Sequence, residues 1–177
     1  MTQNISAGYL SNVVISAIFI SALYLTISKS DFFSLNGLIF VLVACVYLGI
    51  IYQINTSKVT ISEDGLSIDG LIWSYTASKD SIINIEIVDE LIFNNQIKYR
   101  NNGVSIFRYK AGSFTLKSNL SAFLVTNGVG KYVVVSIKNS KFEKVIFSLD
   151  GVNMSEAPNW FNEILNSEGS PYKSASA

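Results

Sequence analysis

The pattern of hydrophobic residues divides the chain into an uncharged apolar first part and a longer part of short alternating stretches. No charged side chain occurs from Met1 to Ser28, and a second uncharged stretch runs from Phe32 to Ser57. A helix needs about 20 apolar residues to cross a bilayer core. The pattern therefore predicts two transmembrane helices, over about residues 8–28 and 35–54, that form a hairpin within residues 1–57. The alternatives are buried core helices or a cleaved signal peptide, but no Lys or Arg precedes Lys29 as a signal peptide requires.

Small residues one helical turn apart indicate where the two predicted helices contact each other. They are Ala17 and Ser21 in the first, and Cys45 and Gly49 in the second. The link over residues 29–34 is too short for a domain, so both termini are expected on one side. Lys and Arg are concentrated after the second stretch, which favours a cytoplasmic C-terminal part. We therefore predict a multi-pass protein of the cell (inner) membrane.

Beyond Ser57, alternation of apolar and polar residues predicts strands. Two of them, Lys58–Ser62 and Leu66–Asp69, are joined by a turn at residues 63–65, and a third is expected at Leu71–Ser74. Ile83, Ile85 and Ile87 alternate with polar residues, as in a half-buried strand. Four later strands are expected to form an antiparallel meander with hairpin turns at Asn127-Gly128 and Asn139-Ser140. They are Phe114–Ser118, Ser121–Thr126, Lys131–Ile137 and Phe142–Leu149.

An amphipathic helix is predicted after the last strand. Ser155 is a suitable N-cap, Pro158 suits the first turn, and four apolar residues make one stripe, namely Trp160, Phe161, Ile164 and Leu165. Residues 58–166 then form one domain, a small antiparallel β-barrel or sandwich closed by this helix, and residues 167–177 form a disordered tail. The fold class predicted for the whole chain is an α+β membrane protein.

Several motifs in the second part resemble the bacterial pleckstrin-homology (PH) domain families. They are Tyr99-Arg100-Asn101-Asn102-Gly103, the run from Tyr109 to Lys117, and Ala122-Phe123-Leu124-Val125-Thr126, before a closing helix that bears Trp160. Phe107-Arg108 stands where those families more often have Gly or Pro. The resemblance implies a PH-like fold for residues 58–166. Because members of these families are often membrane-anchored and mostly lack an assigned biochemical role, it implies little about activity.

Composition excludes several kinds of chemistry. The chain of 177 residues has no His and one Cys, which excludes His-based acid–base catalysis, His/Cys zinc sites and an intrachain disulfide. Thirteen basic and thirteen acidic side chains give no net charge, so nucleic acid is not an expected partner. The residues show no nucleophile elbow, phosphate-binding loop or metal-ligand spacing. We therefore predict a protein that is not an enzyme and needs no cofactor or metal.

The neutral total hides a strong segregation of charge. Residues 59–90 hold seven acids and one base, whereas residues 91–142 hold eight bases and no acid. Four of these bases are spaced two apart in pairs, so that a hairpin around residues 101–103 would carry them on one surface; they are Lys98, Arg100, Arg108 and Lys110.

This basic surface has three interpretations. The bases could pair with the acidic strands inside the sheet, bind a protein partner or a second copy of the chain, or bind anionic lipid headgroups. We predict a membrane-anchored binding or scaffold module that docks a protein or self-associates, with a sensor of anionic lipids as the alternative and a membrane enzyme as the least favoured class.

Overall fold

The structure is a computed structural model that describes residues 1–27, 35–149 and 156–167. Its helices are α1 (Tyr9–Ile27), α2 (Leu35–Thr56), α3 (Glu90–Asn94) and α4 (Asn159–Ser167), with a short 3₁₀ turn at Lys79–Ser81. Its strands are β1 (Thr2–Ile5), β2 (Ser57–Ser62), β3 (Gly65–Asp69), β4 (Tyr75–Ser78), β5 (Ile82–Asp89), β6 (Ile97–Ile106), β7 (Tyr109–Leu116), β8 (Ser121–Thr126), β9 (Lys131–Ile137) and β10 (Lys144–Ser148).

The strands form two sheets. Sheet A has the order β1-β2-β3-β4 and is antiparallel throughout. Sheet B has the order β5-β9-β10-β8-β7-β6, in which β10 and β8 are parallel and the other neighbours antiparallel. Because β5 and β6 are consecutive in the chain yet lie at opposite edges of sheet B, the segment that includes α3 must cross the sheet between them.

The central strands of sheet B are buried on both faces. The inner face of the sheet packs against sheet A and α4, through side chains such as Phe123, Val135 and Phe147. Its outer face packs against Phe93 of α3, through side chains such as Phe114 and Ile146. Alternate residues of the central strands therefore belong to two separate clusters, which explains why β8, β9 and β10 are almost continuously apolar.

Membrane-spanning helices are not found. In residues 1–27, 35–149 and 156–167, no helix has the combination of length and apolar character needed to cross a bilayer. The predictions of two transmembrane helices, an α+β membrane fold and a multi-pass protein of the inner membrane are therefore wrong. The chain is instead a mostly β fold of two sheets with helices at its N-terminal side.

The apolar N-terminal runs differ from the prediction because their ends are tied into the β fold. Residues 2–5 form β1 and pair with β2. The Ala7 amide donates to the Ile54 carbonyl at 2.6 Å, and Asn12 and Asn55 exchange side-chain hydrogen bonds at 3.0 and 2.9 Å. Ile54 is fully buried in the core between sheet A, sheet B and α4. An uncharged run alone does not reveal that its ends belong to a sheet.

The predicted meander is also wrong, because β10 lies between β8 and β9. The segment after β8 therefore does not close a hairpin at Asn127-Gly128. Instead Ser148 Oγ donates to the side-chain oxygen Oδ1 of Asn127 at 2.7 Å. This hydrogen bond fixes the loop to the end of β10. The hairpin at Asn139-Ser140 is confirmed, since β9 and β10 pair antiparallel across it.

Other elements follow the sequence more closely. The turn between β2 and β3 is confirmed, with Ser62 opposite Gly65. The strand expected at residues 71–74 is a loop, and β4 begins at Tyr75. The terminal helix is confirmed: Trp160 and Phe161 are buried, and Trp160 Nε1 donates to the Ser62 carbonyl at 3.0 Å. Ser167, the first residue of the predicted tail over 167–177, is instead the last residue of α4. The predicted cap Ser155, the link over 29–34 and the rest of the predicted tail lie outside the described residues.

Candidate functional site

The long hairpin of β6 and β7 carries the predicted basic residues. Its turn lies at Phe107-Arg108, with Phe107 at a φ of 51°, and not at residues 101–103. Gly103 and Gly112 face each other within the ladder, and a Cβ on Gly103 would lie 2.2 Å from the Ala111 carbonyl oxygen. The two glycines therefore allow a close approach of two strands where a turn was expected.

Because the turn lies at Phe107-Arg108, the four basic side chains are separated into two pairs. Arg100 lies opposite Phe114, whereas Lys110 lies opposite Ser105. Four residues of β7 separate these levels, or about 13 Å at about 3.3 Å per residue. Lys98 and Arg100 lie toward one end of the hairpin, and Arg108 and Lys110 lie at the other.

Lys110 belongs to a polar cluster under α3. Its ammonium donates to Asn94 Oδ1 at 3.0 Å. Burial lowers the pKa of Lys110, and the nearby Glu90 carboxylate opposes that shift. Lys110 is thus partly covered and neutralised by α3, so it contributes little to an exposed basic surface.

Lys98 and Arg100 are differently placed. Both are exposed on β6, and residues 98–102 form one exposed run. Lys98 donates to Asn119 Oδ1 at 2.9 Å, whereas the guanidinium of Arg100 makes no hydrogen bond or ion pair with the described part of the chain. The acidic strand β5 lies at the opposite edge of sheet B. Pairing between the acidic and basic strands, one of the three interpretations, therefore does not neutralise this pair.

A groove of about 410 Å³ lies on the inner side of the same strand. It opens between the loop after β3 and the strands β6 and β7. The lining is mixed: four apolar side chains and five polar ones, namely Ile72, Trp73, Phe123 and Phe142, with Ser74, Asn101, Asn102, Ser113 and Lys141. No acid is among these lining residues. The volume lies within the range of about 300–1,000 Å³ that is typical of ligand pockets.

Aromatic packing holds the floor of this groove in place. Tyr75, Phe123 and Phe142 pack against one another with ring centroids 5.4–5.6 Å apart. The Tyr75 hydroxyl lies 2.5 Å from Ser140 Oγ. Lys141 extends its ammonium to 5.3 Å from the Phe142 ring centroid. The groove was not predicted, because residues 71–74 were expected to be a strand. Gly70, directly before them, is the one signal in the sequence that could have indicated a loop.

A buried polar network joins α2 to sheet B behind the groove. Gln53, fully buried, donates to Ser57 Oγ at 3.1 Å and accepts from the Ile72 amide at 2.6 Å. The Tyr109 hydroxyl lies 3.0 Å from Ser57 Oγ. Burial raises the pKa of Tyr109 to about 12. Each of these polar groups has a hydrogen-bond partner within the network. We therefore assign the network a structural role, which is to hold the loop over residues 70–73 in place.

The outer face holds a second buried polar group. Tyr132 OH and Thr126 Oγ1 are buried and lack a hydrogen bond of ordinary geometry. The side chains of Thr126 and Asn94 nevertheless lie close enough to Tyr132 to lower its pKa slightly. Burial raises the pKa of Tyr132 to about 12. The side chains of Tyr132 and Thr126 lie beneath α3 and do not line the groove, so we assign them to packing.

The predicted helix contacts are made by other residues. Ala17, Ser21 and Cys45 are exposed, and nothing lies within 4 Å of a Cβ built on Gly49. Instead Phe19 stacks on Tyr47 with ring centroids 4.0 Å apart, and Ser16 Oγ lies 2.9 Å from Tyr47 OH. Most of the exposed large apolar side chains of the described chain are on α1 and α2.

Metal ligands are not gathered anywhere in residues 1–27, 35–149 and 156–167: no group of three or more His, Cys, Asp or Glu side chains is found there. No family model, curated protein or solved structure matches the chain. The resemblance to bacterial PH-domain families therefore stays a prediction, and the function must be inferred from the geometry of β6 and its groove.

Proposed function

We propose that this chain is a protein-binding module that takes up an extended acidic segment of a partner beside β6, as an additional strand of sheet B. The observation that supports this proposal is the exposed run over residues 98–102 on the last strand of the sheet. Peptides commonly bind to such edges because main-chain hydrogen bonds supply affinity and side-chain contacts supply specificity.

β6 is an edge strand, with a partner strand along one edge of its backbone and none along the other among the described residues. In the described part of the chain β6 is paired with β7 alone. A strand paired on one side leaves N–H and C=O groups that can pair with another chain. Extended residues of a partner can therefore continue the ladder.

Charge favours an acidic partner. Lys98 and Arg100 project from the exposed run, while the acids of β5 are at the far edge of the sheet. Complementary charge raises the rate of association and selects among partners. An acidic side chain at every second position of a bound strand would lie on the same face as Arg100.

Lysines and bulges on an edge strand also protect a protein from pairing with any other strand. The β6–β7 ladder has register shifts between Ile97 and Tyr99 and between Arg100 and Asn102. The bulges disturb pairing with any strand, whereas Lys98 and Arg100 disfavour a basic strand and favour an acidic one. The proposal therefore requires an acidic segment whose attraction to these two side chains outweighs the irregular ladder.

The alternative of an anionic lipid sensor depended on four adjacent basic side chains. Two of the four are about 13 Å away along the hairpin by the register of β6 and β7, and one of those donates to Asn94. The remaining pair is too small a surface for binding by charge alone, at about 1 kcal/mol for each residue.

The experiment is a selection of random twelve-residue peptides on phage against the full chain in buffer. We expect peptides rich in Asp and Glu at alternate positions and poor in Pro. The double variant Lys98→Glu/Arg100→Glu should lower the affinity of a selected peptide at least about tenfold at low salt, which corresponds to about 1.4 kcal/mol.

The matched control is Lys58→Glu/Lys138→Glu, which makes the same charge change at two exposed positions away from β6. It should leave binding unchanged. Main-chain pairing is tested by N-methylation of the selected peptide: methyl groups on one alternate set of amides should abolish binding, and methyl groups on the other set should be tolerated. Failure to enrich acidic peptides, or equal effects of the two double variants, would contradict the proposal.

A further inference from the structure

The groove beside β6 has the shape and lining of a site for one side chain of a bound strand. Asn101 and Asn102 belong to β6 and also line the groove. Asn102 lies opposite Ser113, on the inner face, whereas Arg100 lies opposite Phe114, on the outer face. A strand added beside β6 would therefore direct alternate side chains to Arg100 and to the groove.

The lining specifies an amphipathic occupant. Trp73, Phe123 and Phe142 offer ring faces and edges, against which another aromatic ring packs favourably at centroid distances of about 4.5–7 Å. Ser74, Ser113 and the Lys141 ammonium offer hydrogen-bond donors at the same groove. An aliphatic side chain would leave these polar groups without partners, and a small acid would leave the rings uncovered.

We infer that the groove receives an aromatic side chain with a polar tip, such as tyrosine, from the acidic segment bound at β6. This inference rests on the proposed function. It adds Trp73, Phe142 and Lys141 as specificity-determining residues and gives the segment a pattern. Because side chains alternate along a strand, the aromatic residue stands an odd number of positions from the acids that face Arg100.

The test compares two versions of a selected peptide, with the aromatic residue and with Ala in its place. Against the unmodified full chain we expect the Ala version to bind more than about tenfold more weakly. The variant Ser74→Phe places a ring at the mouth of the groove from an exposed loop position. In this variant the two peptides should bind within about twofold of each other.

The matched control is Ser6→Phe, which adds the same ring at an exposed position between β1 and α1. It should retain the full difference between the two peptides. Lys141→Gln is a second, more conservative variant that removes the ammonium, and it should weaken the aromatic version several-fold while the Ala version is unaffected.

The outcomes separate the two proposals. Acidic peptides without an aromatic residue at odd spacing, or an unchanged preference in Ser74→Phe, would overturn the inference and leave strand addition at β6 intact. If no acidic peptide is selected at all, both proposals fail. An aromatic preference that Ser74→Phe and Lys141→Gln both reduce would support the inference.

Discussion

β10 and β6 lie in the same sheet and are under opposite constraints. β10 lies between β8 and β9 and is buried on both faces, with Val145 and Phe147 on one side and Ile146 on the other. β6 pairs with one strand, and residues 98–102 are exposed. Packing dictates the residues of β10, whereas the residues of the exposed run are largely free of it. The proposed binding role therefore depends on the basic and polar residues of the exposed run and not on the interior of the sheet.

The largest expected change in stability comes from a substitution in the buried strand β10. Phe147 is fully buried between neighbours on both strands. We expect Phe147→Ala to lower the free energy of unfolding by about 3–5 kcal/mol, because it removes apolar contacts and leaves a cavity. Urea unfolding followed by circular dichroism measures this change.

The control for Phe147 lies on the edge strand. Tyr99 is about half exposed on β6, with 53% of its surface accessible, so Tyr99→Ala should change the free energy of unfolding by less than about 0.5 kcal/mol. If the two variants lost similar amounts of unfolding free energy, the exposed face of β6 would have to be packed in solution. The proposal that β6 is a free edge strand would then be wrong.

An intermediate effect is expected where the edge strand joins the sheet. Gly112 has a φ of 112°, and a Cβ there would lie 2.4 Å from the Asn102 carbonyl oxygen. Gly112→Ala should therefore cost about 2–3 kcal/mol through backbone strain and steric overlap. Hydrogen exchange should show that amides of β6 and β7 lose protection while those of β9 and β10 retain it.

Gly49 provides the matched substitution. It lies within α2, and nothing is within 4 Å of a Cβ built there. Gly49→Ala should stabilise the chain by about 0.5–1 kcal/mol, because Ala is the better helix former. Loss of protection across the whole of sheet B in Gly112→Ala would mean that the edge strand does not open as a separate unit.

Local chemistry made part of this fold predictable. The turn before Gly65, the hairpin at Asn139-Ser140 and the apolar stripe around Trp160 depend on neighbours in sequence, and all three are present. The position of β10 depends instead on its pairing with β8, 22 residues earlier in the chain. A dipeptide that usually marks a hairpin cannot reveal such a distant partner.

The candidate site was predictable only in part. Lys98 and Arg100 were identified from their spacing, but the register that separates them from Lys110 depends on the facing pair Gly103 and Gly112. The groove brings together Trp73, Asn102 and Lys141 from three distant segments. The prediction for the N-terminal apolar runs was wrong, and hydropathy alone does not show that residues 2–5 form a strand or that Ile54 is buried in the core of the β fold.

The last expected effect depends on pH and concerns two buried hydroxyl groups of sheet B. Burial raises the pKa of both Tyr109 and Tyr132 to about 12, from about 10 in an unfolded chain. Between these values the unfolded chain loses protons that the folded chain keeps, so stability is complete below about pH 10 and falls as the pH rises toward 12. Each unit corresponds to about 1.4 kcal/mol for each group, so at pH 11, one unit above the pKa in the unfolded chain, we expect the two tyrosines together to lose at most about 3 kcal/mol of stability.

Comparison of two conservative variants assigns this loss to its sources. Tyr132 OH has no hydrogen bond of ordinary geometry, so Tyr132→Phe should leave stability at pH 7 nearly unchanged and should reduce the alkaline loss. Tyr109→Phe should also reduce the alkaline loss, but it should cost about 1 kcal/mol at pH 7 because the contact with Ser57 is broken. Urea unfolding at pH 7, 10 and 11 separates the two. If Tyr132→Phe cost as much at pH 7 as Tyr109→Phe, the Tyr132 hydroxyl would have a partner in solution, and the interior of sheet B would contain a second structural network in place of an unpaired group.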